Sequence, residues 1–251
     1  MNAHIYAAGT VRILRQLRGD HRTVAMILLV PSLLMTLLYF LYQDIPSVPG
    51  QPSLFDRIAI TMLGVLPFVV MFLITSIAMQ RERSSGTLER LLTTPMSKLD
   101  LLAGYASAFS LAATAQAALA CAVAFGLLGL TTAGSLGWVL LIAVLGAVLG
   151  VATGLLCSAF ARTEFQAVQF MPVVVVPQLF LCGLLVPREQ MPEWLHVISN
   201  VLPLTYSVDA LEQVATNTAF TSRIGIDLAV VSAFTLVALC AAAATLRRRT
   251  P

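Results

Sequence analysis

RERSSGTLERLLTTPMSKLDLLAGY, from Arg81 to Tyr105, is charged, rich in hydroxyls and broken by Gly86 and Pro95, yet apolar runs lie on both sides of it. Such a segment between two oily blocks reads as a turn outside a membrane joining two spans within it. The rest of the chain supports that reading. It is 58% hydrophobic and only 11% charged, whereas soluble domains carry about 25% charged residues. A helix needs roughly 20 mostly apolar residues to cross the hydrocarbon core. Six windows qualify, at about 24–42, 58–80, 101–130, 136–160, 166–186 and 226–246. The expected fold is therefore an all-α integral membrane protein with six transmembrane helices. The first apolar block begins only near Val24 and is long enough to span, so no cleavable signal peptide is expected.

Charge sets the orientation. Six spans put both termini on one side, with the 81–98 segment. Those regions hold Arg12, Arg15, Arg18, Arg22, Arg81, Arg83, Arg90, Lys98, Arg162, Arg247, Arg248 and Arg249, against Arg57, Arg188 and Arg223 opposite. Twelve against three makes the first side cytoplasmic by the positive-inside bias. Within residues 1–23, Tyr6, Thr10, Ile13, Leu14 and Leu17 cluster on one helical face and the arginines on the other, as in an amphipathic helix lying in the interface. The six-span domain then covers 24–246, and 247–251 is a basic tail.

The expected spans carry no clearly internal Asp, Glu, Lys, Arg or His; Asp56, Arg57 and Asp227 sit at their edges. Ion-coupled carriers ordinarily bury charge in their spans. No HExxH, GxSxG or GxxxxGK[ST] occurs, so no chemistry and no ATP-binding loop is expected in this chain. His4, His21 and His196 read as surface residues, and Cys121, Cys157, Cys182 and Cys240 as small buried hydrophobes; no metal site is expected.

Val186 to Arg223, about 38 residues, is too long for a structureless connector. Pro192 suits the first position of a short helix through Trp194, Leu195, Val197 and Ile198 that stops near Asn200, and Pro203 a second through Tyr206, Val208 and Leu211. Each is too short to cross, so the 187–224 segment dips into the outer leaflet or lies along it. A gate and a plain surface pair of helices fit equally well. Pro177 should kink the fifth span.

Between the second and third spans, Gly86 to Leu92 reads as a short helix with Ser84 and Ser85 as caps, ended by Pro95, and Ser97-Lys98-Leu99-Asp100 as a capping box opening the third span. A charged knob for a protein partner and a solvated turn both fit the residues alone. The run ERSSGTLERLLTTPMS at 82–97 resembles the signature between spans two and three of ABC-2 type transporter permeases. A second stretch agrees: Cys182-Gly183, Val186-Pro187, Met191-Pro192, Trp194, Asn200, Leu202 to Tyr206 and Asp209 to Leu211 resemble that family's external segment. The usual Asn-Pro-Leu-Thr-Tyr core is here interrupted by Val201 and Leu202 between Asn200 and Pro203. Size and motifs most resemble the daunorubicin-resistance type, which exports drugs or lipids.

The resemblance implies a permease subunit in a bacterial plasma membrane, moving hydrophobic or amphipathic cargo. It implies a second permease, identical or related, and two copies of a separate ATPase that holds the ATP and magnesium. Nucleic acid is no partner. By the same resemblance the N-terminal helix is a connecting helix, and Glu82, Arg83, Gly86, Thr87, Glu89, Arg90 and Pro95 couple the chain to the ATPase. The cargo path would lie between copies, lined by Phe68, Met71 and Phe72 of the second span and Phe170, Met171, Phe180 and Leu181 of the fifth. Trp194, Asn200, Pro203 and Tyr206 would form an external gate. The alternative expectation is a six-span scaffold, or a channel or carrier without ATP coupling.

Overall fold

The structure is a computed structural model describing residues 3–46, 52–87 and 97–245. These residues form helices and no strand. Helix α1 spans Ala3–Gly19, α2 His21–Tyr42, α3 Leu54–Ser84, α4 Lys98–Gly126, α5 Leu136–Ser158, α6 Glu164–Val174 and α7 Val176–Leu181. After a 3₁₀ turn at Arg188–Gln190 come α8 at Glu193–Ser199, α9 at Pro203–Thr216 and α10 at Ser222–Thr245. Among the described residues, six stretches are long and apolar enough to cross a membrane: α2, α3, α4, α5, the α6–α7 pair and α10.

Polar residues at the helix starts mark where the apolar windows become helices. Asp20 caps α2, accepting from the Thr23 amide at 3.1 Å and its hydroxyl at 2.7 Å. The expected box at α4 is present: Ser97 Oγ accepts from the Asp100 amide, and the Ser97 amide donates to Asp100 Oδ2, both at 3.1 Å. Ser53 and Asp56 form a second box at α3, so that helix starts before its apolar window. Each box satisfies amides that the helix itself leaves open.

Helices α3 and α5 form the centre. A Cβ built on Gly150 would lie 2.4 Å from the Phe68 carbonyl oxygen, and one on Gly154 2.6 Å from that of Phe72. Glycines four apart on α5 therefore let two backbones touch, which is how membrane helices gain dispersion contact where lipid removes the hydrophobic drive. Helix α9 packs on α3 where Gly64 faces Leu211. The outer helices are less covered: 67% of the apolar window of α3 is buried, against 17% of the α6–α7 pair.

The fifth span differs from expectation. It ends at Leu181 rather than near 186, and it breaks at Val175, with Pro177 in the first turn of α7. A proline in a helix interior lacks its amide and clashes with the preceding turn, so the chain starts a new helix. Its 18 residues rise about 27 Å at ~1.5 Å each, near the minimum for a crossing. Cys182 thus lies just beyond the span, and all four cysteines are free. Pro192 is the cap of α8 rather than its first residue, and Asn200 closes that helix; Pro203 opens α9 as expected.

Candidate coupling and gating sites

At the end of the bundle that carries α1, four helices are tied together. Arg12 of α1 donates to Glu82 of α3 at 3.1 Å. The Tyr6 hydroxyl meets that of Ser107 on α4 at 2.6 Å. Gly104 has no side chain to hold α1 away, and its missing Cβ would sit 3.5 Å from the Thr10 amide nitrogen. On the outer side Arg81 grips Glu164 of α6 with two nitrogens, at 3.0 and 3.1 Å. The α3 end is thus ion-paired to both α1 and α6.

Glu82 accordingly points inward, with its residue only 5% exposed, and is not displayed to a partner. Arg83 is half-buried. Ser84 is the last residue of α3 and Ser85 its C-cap, so both end that helix rather than starting the next. Gly86 then adopts φ +71°, a left-handed conformation that costs a side-chain-bearing residue energy but glycine almost none. The Thr87 hydroxyl is 2.9 Å from that of Ser85. Glu89, Arg90, Pro95 and the expected helix beyond Thr87 lie outside the described residues.

At the opposite end Arg188 is the hub. It is 9% exposed and donates to the Asp209 carboxylate, the Asn200 side-chain oxygen and, at 3.3 Å, Ser199 Oγ. One guanidinium thus joins the 3₁₀ turn, α8 and α9, which suits its fork of donors. Burial pushes the Asp209 carboxyl above its ordinary value, opposed by the positive charge of Arg188. The Tyr206 hydroxyl donates to the Asn200 carbonyl at 2.6 Å, and Pro203 is buried at the start of α9. Trp194 is 64% exposed. The two residues separating Asn200 from Pro203 form the turn between α8 and α9. Gln178 of α7 accepts from the Leu204 amide at 3.3 Å and so ties the broken span to α9.

The expected path residues are divided. Phe68, Met71 and Phe72 are wholly buried in the subunit, because Gly150 and Gly154 bring α5 onto the α3 backbone beside them. They fill the core in this arrangement and present no surface between copies. Phe170 and Met171 are half-buried against that core, Leu181 is half-buried, and Phe180 is exposed. Arg12 and Arg188, which no motif assigned to either site, carry the ion pairs at the two ends, and Asp209 of the external motif is the partner of Arg188.

Comparison with known proteins adds to this geometry. The ABC-2 type transporter family matches residues 5–215. Over 154 residues the chain is 29% identical to the probable multidrug ABC transporter permease YbhR of Escherichia coli (strain K12), covering 61% of this chain and 42% of that one. It is 27% identical over 171 residues to ABC transporter G family member 20 of Dictyostelium discoideum, covering 67% of this chain and 23% of that one. To nodulation protein J of Rhizobium meliloti (strain 1021) it is 24% identical over 169 residues, 67% and 64% of the two chains. The chain spans less than half the length of the first two relatives it matches. Its six apolar crossings and a match over most of its length place the chain in the ABC-2 type transporter family.

Proposed function

We propose that this chain is the membrane-spanning permease subunit of an ATP-driven exporter, working as a pair with a second copy or a related chain. Two copies of a separate ATPase dock on the face bearing α1, which is the cytoplasmic face of a bacterial plasma membrane by its arginine content. ATP and magnesium act there, on the partner. The observation that carries the reading is the Arg12–Glu82 pair: it joins the amphipathic α1 to the end of α3 from which the 86–95 segment leaves. Closure of the ATPase, received through Glu89 and Arg90, would then reach α1, α3 and α4 together. The cargo is hydrophobic or amphipathic, and it moves between copies past the exposed side of α6 and α7, where Phe170, Met171, Phe180 and Leu181 remain available. The Arg188 hub and the Trp194-bearing α8 would close the outer end.

The test is co-expression with a candidate ATPase and assay of ATP hydrolysis by the purified complex, comparing the unaltered chain with Glu89→Ala. Co-purification with lowered hydrolysis at intact assembly supports coupling through this segment. A complex that never forms with any candidate, or cargo flux that persists without ATP, returns the chain to a six-span scaffold or an uncoupled carrier.

A further inference from the structure

Three arginine side chains at the α1–α2 corner face away from the protein. Arg15 and Arg18 of α1 and Arg22, in the first turn of α2, are all exposed. Among the described residues none of the three is ion-paired. Residues three apart share a helix face, and only Asp20 separates the two helices, so the three charges gather at one corner. The acids nearby are already engaged. Glu82 is paired with Arg12 and Glu164 with Arg81, while Asp20 accepts from Thr23 and feels the charge of Arg81. The corner therefore carries a net positive charge.

The apolar side of α1 is spent on the protein itself. Ile13 is buried in the core, and Ile5, Leu14 and Leu17 pack against it, so what α1 offers outward is basic. On α2 the stripe that begins with Arg22 continues through Met26, Leu29, Leu33, Leu37 and Phe40, all more than half exposed. Their spacing of three and four keeps them on one helix face. A cation thus heads an apolar stripe that runs along the first crossing. An acidic protein surface could cover the arginines but not the stripe below them. A second copy could cover the stripe, but a two-fold contact sets like surfaces against each other and would bring the same arginines together. A phospholipid of net negative charge fits both parts, because its phosphate lies above its acyl chains.

We propose that Arg15, Arg18 and Arg22 hold the headgroup of an anionic phospholipid whose acyl chain lies along Met26, Leu29 and Leu33. Guanidinium groups suit this headgroup, since their forks donate to phosphate oxygens in pairs. A zwitterionic lipid brings its own cation and gains less from the corner. Each basic residue near an anionic membrane surface is worth about a fivefold gain in attraction. The lipid is a fixed neighbour of the chain and not its cargo, so the site stands apart from the exporter reading.

The experiment places the full chain, without any ATPase, in nanodiscs of equal phosphatidylglycerol and phosphatidylcholine. In parallel samples one lipid or the other carries a diazirine on an acyl chain, and labelled peptides are mapped by mass spectrometry after illumination. Phosphatidylglycerol label is expected to concentrate within 22–33 and to exceed the phosphatidylcholine label there. Arg22→Gln lowers it about fivefold, and Arg15→Gln, Arg18→Gln and Arg22→Gln together bring it down to the phosphatidylcholine level. Lysine at all three positions keeps most of it, since an ammonium binds phosphate as a point charge. Arg247→Gln, Arg248→Gln and Arg249→Gln together remove the same charge elsewhere and leave it unchanged. The side chains replaced at the corner are exposed, so the fold survives their loss. Inorganic phosphate in excess does not compete. Equal label from the two lipids, equal loss in the two triple glutamine variants, or competition by inorganic phosphate overturns the proposal. So does protection of 22–33 from both lipids, which would put a second copy on the stripe.

Discussion

Gly150 of α5 lies against the Phe68 carbonyl of α3, so close that a built Cβ would stand 2.4 Å from that oxygen. Backbone cannot yield as a flexible side chain does, and the contact sits at the centre of the bundle. Gly150→Ala is therefore expected to destabilise the protein by about 1–3 kcal/mol, the usual cost of overpacking. Gly137, at the far end of the same helix, has only Ser135 Oγ at 3.9 Å. Gly137→Ala should leave stability within about 0.5 kcal/mol, as surface changes do. Thermal unfolding of both variants in detergent checks the pair, and equal effects would refute the backbone contact as the cause.

Arg188 and Asp209 form an ion pair whose side chains are only 9% and 14% exposed. Removing one partner strands the other, at a cost of about 3–5 kcal/mol for a buried pair. Arg188→Ala should lower the unfolding midpoint and speed amide hydrogen exchange across 188–200, where the hub joins the 3₁₀ turn to α8. Arg188→Lys should rescue little, because an ammonium cannot fork to Asp209, Asn200 and Ser199 at once. Full rescue by lysine would show that charge alone matters there.

The side chain of Glu212 reaches the surface, yet crowding of its carboxyl by protein, then the charges of Asp209 and Glu189, push it up to about 7 from an ordinary 4.5. A raised carboxyl means the folded state binds the proton more tightly. The resulting stabilisation is complete below about pH 4.5 and is lost as pH rises through about 7. Glu212→Gln should flatten that decline in a series of unfolding midpoints from pH 5 to 8. An unchanged slope would assign the dependence to other groups.

Arg12 and Glu82 offer a cycle. Arg12→Gln alone leaves the Glu82 carboxylate buried without its partner, at a cost of about 1–3 kcal/mol. The double variant Arg12→Gln with Glu82→Gln should recover part of that loss. Additive losses would mean that the two residues act independently.

The helical spans were legible from the chain because spanning length and cap residues are local properties. Five apolar windows became continuous helices within a few residues of their expected limits. The Ser97–Asp100 box and the proline start of α9 were legible for the same reason, since a cap needs only its own first turn. Tertiary packing decided the rest. Nothing local in Phe68, Met71 or Phe72 tells whether they face another copy or the inside; Gly150 and Gly154, some eighty residues away, settle it by admitting α5. Glu82 reads as an exposed charge until Arg12, seventy residues earlier, arrives from α1. Arg188 reads as a loop cation until α8 and α9 fold around it. A side chain's propensity belongs to its neighbours in the chain, but its exposure and its ionic partner belong to its neighbours in space.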